Sequence, residues 1–184
     1  MLKTGINELD EKINGLNEKE LITIASRPGI GKSSVGISII NNVVEQTDNK
    51  ILYFNLESSK NVLKVKIVND RVEIIDNVNN IEDIINICKD RKYIDLVLID
   101  YFQLITSSEL YEKSSISSVL KSLATTLDIP VVVLSQLNSS FDEREDNSFK
   151  SEDLNMYLQR DSDKIICLYR DNMLLDDLKF IMFK

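Results

Sequence analysis

Apolar and polar positions along this chain follow two alternating rhythms. Short, nearly unbroken apolar runs occur at Leu21-Ile22-Thr23-Ile24-Ala25, Ile51-Leu52-Tyr53-Phe54-Asn55-Leu56, Val72-Glu73-Ile74-Ile75, Leu96-Val97-Leu98-Ile99-Asp100, Val131-Val132-Val133-Leu134-Ser135, Lys164-Ile165-Ile166-Cys167-Leu168-Tyr169 and Leu178-Lys179-Phe180-Ile181-Met182-Phe183. Each is strand-length and rich in β-branched or aromatic residues, so each is predicted to be a β-strand. Between them the apolar residues recur at helical spacing: Val35, Ile37, Ile39, Ile40, Val43 and Val44; then Ile81, Ile84, Ile85 and Cys88; then Ile116, Val119, Leu120, Leu123 and Leu127. Asn80 is suited to cap the second of these helices. Strands apolar on both faces and separated by helices predict an α/β chain, with a mostly parallel central sheet and helices on both faces. Ligands of such sheets bind just beyond the carboxyl ends of the strands. The stretch from Asn138 to Lys150 breaks the rhythm with Ser, Asp, Glu and Asn, and reads as a surface loop.

Composition narrows the chemistry. The 184 residues are enough for one domain with a real core. Hydrophobic residues make up 43% and charged residues 28%, which is the balance of a globular chain. There is no histidine, which excludes His-ligated zinc and His general-base catalysis. Cys88 and Cys167 each sit in an apolar run, far apart, and are expected to be buried free thiols. No apolar run approaches the ~20 residues of a membrane span. Met1-Leu2-Lys3-Thr4-Gly5 lacks the apolar stretch of a signal peptide, so a cytoplasmic chain with no membrane partner is expected. The formal net charge of −8 argues against tight binding of nucleic acid by a broad basic face, while leaving room for a local basic patch.

The candidate chemistry begins where the first strand ends. Ser26-Arg27-Pro28-Gly29-Ile30-Gly31-Lys32-Ser33-Ser34 stands between a strand and a helix, the setting of a phosphate-binding loop, G-x-x-x-x-G-K-[ST]. Gly31-Lys32-Ser33 match that pattern; Ser26 occupies the first glycine position. Gly29 and Gly31 allow successive N–H groups to face one anion, and the helix adds its N-terminal dipole. Lys32 is placed to reach the outer phosphates and Ser33 to ligate magnesium, so the loop predicts ATP and Mg²⁺ as cofactors.

Three further residues stand at strand ends. Asp100 closes the most apolar strand, where a carboxylate needs a charge to face it; hydrated Mg²⁺ is the expected one. Glu57, after Phe54-Asn55-Leu56, is placed to polarise an attacking water. Gln136, after Val131–Ser135, is placed to sense a γ-phosphate by hydrogen bonding, and Gln103 is a weaker candidate of the same kind.

Together these segments resemble the RecA-like ATPase domain of the DnaB family of replicative helicases. Thr4-Gly5-Ile6-Asn7-Glu8-Leu9-Asp10 looks like the opening segment of that domain. Arg27-Pro28-Gly29-Ile30-Gly31-Lys32-Ser33 looks like its phosphate loop, whose first glycine is commonly a small residue, as Ser26 is. Phe54-Asn55-Leu56-Glu57-Ser58-Ser59 is similar to the segment carrying the catalytic glutamate. Ile99-Asp100-Tyr101-Phe102-Gln103-Leu104 resembles the Walker B segment, and Leu134-Ser135-Gln136-Leu137-Asn138 the sensor segment. Asp163-Lys164-Ile165-Ile166-Cys167-Leu168-Tyr169-Arg170-Asp171 looks like the strand that follows. The resemblance implies a single RecA-like ATPase domain over residues 1–184, without the family's N-terminal primase-interacting domain. It implies catalytic roles for Glu57, Lys32 and Gln136, and a hexameric ring moving on single-stranded DNA.

The departures from the family pattern are specific. The stretch from Glu57 to Val72 is shorter than the family's helical insertion. Asp153-Leu154-Asn155-Met156-Tyr157-Leu158-Gln159-Arg160-Asp161 stands where the family has a Gly-containing DNA-tracking loop with Arg and Glu. The family's arginine finger follows its last core strand, and Lys184 falls about where that motif would begin. Three readings therefore stand side by side: a DnaB-like helicase ATPase; a nucleotide-binding accessory relative that docks on a helicase ring or other replication partner; and a RadA-like recombination ATPase, against which the Asp100-Tyr101-Phe102-Gln103-Leu104 and Ser135-Gln136-Leu137-Asn138 segments argue.

Overall fold

A computed structural model describes residues 1–107, 115–138, 149–170 and 178–184. Its strands are β1 (Leu21–Ser26), β2 (Lys50–Asn55), β3 (Val72–Ile75), β4 (Ile94–Asp100), β5 (Val131–Gln136), β6 (Lys164–Arg170) and β7 (Leu178–Met182). They form one seven-stranded sheet in the order β3-β2-β4-β5-β1-β6-β7. All neighbouring pairs are parallel except β6 and β7. The mostly parallel sheet expected from the apolar runs is thus observed.

Helices cover both faces because the strand residues alternate in direction. On one face Ile22, Ile24, Tyr53, Leu98 and Leu134 pack against α1 (Asn7–Ile13) and α2 (Lys32–Val44). On the other, Leu21, Leu52, Phe54, Val97, Ile99 and Val133 pack against α4 (Ile81–Asp90) and α5 (Ile116–Leu127). Gly36 brings α2 close to the sheet: a β-carbon there would lie 3.0 Å from Leu134 Cδ1. Asn80 caps α4 as expected, its side chain accepting from Glu82 N–H at 2.8 Å. Cys88 and Cys167 are buried and free, one in each of two separate apolar clusters. Burial pushes both thiols up to about 12, with the charge of Asp153 adding to the effect at Cys167.

Three short helices lay beyond the reach of the periodicity: α1, α3 (Lys60–Leu63) and α6 (Met156–Asp161). Each offers two turns or fewer, too little for an apolar stripe to repeat. The segment from Thr4 to Asp10 folds on itself, with Asp10 Oδ1 accepting from Thr4 N–H at 2.8 Å and Thr4 Oγ1 at 2.9 Å. Of the surface loop expected from Asn138 to Lys150, residues 139–148 lie outside the described residues, as does Asp171. No helix of the described residues is long and apolar enough to cross a membrane.

Candidate nucleotide site

Strand register places the candidate residues in a row. Ser26 on β1 sits opposite Gln136 on β5, and Asn55 on β2 opposite Asp100 on β4. The carboxyl ends of four adjacent strands therefore open on one edge of the sheet. A cleft of about 260 Å³ lies there, lined by Arg27, Pro28, Gly29, Gly31, Lys32, Ser33, Ser34, Glu57 and Gln136. Residues separated by more than a hundred positions in sequence are brought around one opening.

The loop has the backbone shape its glycines allow. Gly29 and Gly31 have φ of 79° and 109°, a region that side-chain-bearing residues rarely enter. A β-carbon on Gly29 would meet nothing within 4 Å, so this turn faces open space. Gly31 caps α2 without any side-chain hydrogen bond, and the first turn of α2 holds no acidic residue. The first N–H groups of the helix lack intrahelical acceptors, and with the helix dipole they form a seat for an anion.

Two residues of the expected nucleotide contact set point elsewhere. Ser26 is fully buried, and its hydroxyl donates to Arg27 O at 2.9 Å, so its side chain stays out of the cleft. Ile30 is also buried, and its carbonyl accepts from Arg170 Nε at 3.2 Å. Their contribution is to the shape of the loop. Arg170, at the end of β6, braces the loop from its other side, a role unassigned by motif. Its position at a strand's carboxyl end was the available signal.

Behind the loop, Lys32 Nζ lies 3.2 Å from Asp100 Oδ1, with Lys32 7% and Asp100 0% exposed. The charge that faces Asp100 among the described residues is that of Lys32. The same ammonium lies 4.8 Å from the centroid of the Tyr101 ring. Asp100 Oδ2 accepts from the Tyr53 hydroxyl at 3.3 Å. Burial, and after it the charge of Asp100, push the Tyr53 hydroxyl well above its usual range, so it remains a donor.

Glu57 is exposed on the turn after β2, with its carboxylate at the rim of the cleft. Gln136 is half-buried on the opposite rim. Gln103 stays out of the cleft: its amide brackets the end of β5, Nε2 donating to Gln136 O at 2.9 Å and Oε1 accepting from Gln136 N–H at 3.1 Å. It holds the backbone of the sensor-like residue instead of offering a second sensor. Within the segment Asp153 to Asp161, Asp153 ends a short helical turn begun at Ser151, and Asn155 caps α6 by accepting from Tyr157 and Leu158 N–H.

The geometry agrees with what comparison with known proteins finds. The model of the DnaB-like helicase C-terminal domain matches residues 1–83 and 74–179. The chain belongs to that family. The replicative DNA helicase DnaB of Buchnera aphidicola subsp. Baizongia pistaciae is 31% identical over 94% of this chain and 47% of its own length. DnaB of Geobacillus stearothermophilus is 28% identical over 93% of this chain and 47% of its own length. This DnaB-like chain thus spans about half the length of the curated relatives it matches. Among solved structures, a DnaB-like replicative helicase, studied with its primase interactions, superposes with a TM-score of 0.85 at 23% identity, covering 98% of this chain and 56% of that one. A second solved structure, of an ATPase domain, gives 0.83 at 23% identity over 98% of this chain and 82% of that one. The resemblance read from the motifs and the α/β fold are both borne out.

Proposed function

We propose that this DnaB-like chain binds ATP with magnesium at the β1–α2 loop and hydrolyses it, as the motor domain of a replicative helicase moving along single-stranded DNA within an oligomeric ring. The observation that carries this reading is the cleft in which the phosphate loop, Glu57 and Gln136 meet in front of the Lys32–Asp100 pair. Phosphoryl transfer needs positioning and charge stabilisation more than covalent chemistry, and the cleft is lined with suitable groups. The N–H groups of the loop and first turn of α2 receive the phosphates. Lys32 turns from Asp100 to the outer phosphates. Glu57 orients and polarises the attacking water, and Gln136 bonds the γ-phosphate. The oxygen donors Ser33 Oγ and Asp100 suit a hard, octahedral cation and would hold magnesium. When bound, magnesium neutralises charge on the outer phosphates.

The test is ATP hydrolysis by the chain with and without single-stranded DNA at low salt, where phosphate contacts are strongest, alongside its solution mass. Turnover raised by DNA in an oligomer is the expected result. Lys32→Ala should weaken ATP binding about a hundredfold or more, and Glu57→Gln should keep binding while lowering turnover by about 10² or more. Unchanged ATP affinity in Lys32→Ala would falsify the site. Turnover indifferent to DNA, together with co-migration of the chain with a separate helicase ring, would replace the motor by the accessory reading.

A further inference from the structure

Asn55 and Tyr53 are polar groups in the buried run of β2, 2% and 0% exposed, and the phosphate-loop motif assigns them no role. Their hydrogen bonds form a continuous chain. Asn55 Oδ1 accepts from the backbone N–H of Glu57 at 3.2 Å and of Ser58 at 2.6 Å. Asn55 Nδ2 donates to the Tyr53 hydroxyl at 2.8 Å, and that hydroxyl donates to Asp100 Oδ2 at 3.3 Å. The two residues share one face of β2, being two positions apart.

We infer that Asn55 and Tyr53 are positioning residues that tie the turn carrying Glu57 to the carboxylate of Asp100, so that the backbone bearing the water-polarising group and the metal-holding carboxylate keep one fixed relation. This inference rests on the ATPase reading of the cleft. The amide of Asn55 suits the task because it accepts on one side and donates on the other. An alkyl side chain in its place would serve neither side. The β2–β4 ladder and the Leu56 N–H to Asp100 carbonyl bond at 2.7 Å also join the two sites, but they fix backbones and leave the side chains to be held by other bonds. The relay fixes the Asp100 carboxylate itself and the backbone from which the Glu57 side chain starts. Lys32 holds the other oxygen of the same carboxylate, so when Lys32 turns to the phosphates the Tyr53 bond keeps Asp100 from swinging.

A positioning role separates turnover from binding. The full chain is measured for ATP binding with a fluorescent ATP analogue and for steady-state hydrolysis, as wild type, Tyr53→Phe, Asn55→Ala, the double variant and Glu57→Gln, with thermal melts as a folding check. Both single variants are expected to bind within about threefold of wild type with KM similarly unchanged, while kcat falls about tenfold. The double variant is expected to be no slower than the slower single variant, since both cut one chain. A loss of folded protein would lower binding sites and kcat together and would not produce this split. Wild-type kcat in Asn55→Ala beside an inactive Glu57→Gln overturns the relay and leaves the ATPase reading intact. Independent, multiplying losses in the double variant overturn the coupling through Tyr53. Should Asn55→Ala fail to fold, Tyr53→Phe, which removes one oxygen atom, decides the question by the same split. Wild-type turnover in Glu57→Gln, or none in the wild-type chain, overturns the reading of the cleft and the relay with it.

Discussion

Lys32 and Asp100 form a buried ion pair, Nζ to Oδ1 at 3.2 Å, linking the helix that follows the phosphate loop to the end of a strand 68 positions away. Without nucleotide, each is the other's counter-charge. On the proposed ATPase reading, a ligand that draws Lys32 forward would release one oxygen of Asp100 and so link anion binding at the loop to exposure of the carboxylate.

The pair makes a stability prediction that is independent of catalysis. Lys32→Ala leaves the fully buried Asp100 carboxylate without its cation, a change that costs about 3 kcal/mol or more. Adding Asp100→Asn removes the stranded charge and should recover most of that loss. Urea unfolding of the nucleotide-free variants measures both. A double variant no more stable than Lys32→Ala would show that the pair is not what stabilises this part of the fold.

Gly36 tests the packing of α2 on the sheet. Its missing β-carbon would already stand 3.0 Å from Leu134 Cδ1 and 3.5 Å from Leu98 Cδ2. Gly36→Val, which adds branching as well as volume, is expected to destabilise the chain by about 2 kcal/mol through overpacking. The urea midpoint reads it; an unchanged or higher midpoint would mean that α2 shifts freely on its strands.

The Arg91–Glu73 pair supplies a pH prediction. Arg91 donates from Nε and Nη2 to the Glu73 carboxylate at 2.7–3.1 Å. Those hydrogen bonds hold the Glu73 carboxyl below its ordinary range, against the opposing effect of burial. A carboxylate with a depressed folded-state value contributes stability above its ordinary unfolded value, and that contribution is lost as pH falls through the folded one. Arg91→Ala should therefore lower the melting temperature near neutral pH, and the gap from wild type should close in acid, below the usual carboxylate range. A gap that persists there would assign the effect to packing of the arginine stem.

Thiol chemistry checks the two cores. At about 12, each native thiol is ionised to about one part in ten thousand at pH 8. Cys88 and Cys167 should react with a thiol-specific disulfide reagent only at the rate at which the chain opens, and fast reaction should appear in denaturant. Prompt labelling of either in the native chain would contradict its burial.

Among the described residues, the seven strands and the three longer helices were legible in the sequence because their signals are local. Strand residues apolar on both faces and helices with a repeating stripe announce themselves within ten or so positions. The phosphate loop was legible for a similar reason: two glycines, a lysine and a hydroxyl must be contiguous to wrap one anion. Glu57, Asp100 and Gln136 could be singled out because they stand at or just past strand ends, where a parallel sheet opens. What required the tertiary structure is everything that depends on which strands are neighbours. The order β2-β4-β5-β1-β6 brings Glu57, Asp100, Gln136 and Arg170 to one edge, and no local pattern encodes that order. It alone decides that Lys32 faces Asp100, that Gln103 clasps the backbone of Gln136, that Arg170 braces the loop, and that Tyr53 and Asn55 join two sites. Ser26 and Ile30 belong to the loop by sequence, yet their side chains turn inward to shape it. Sequence determined which groups this chain can offer at its strand ends; packing of the sheet, through the register of strands distant in sequence, decided which of them meet.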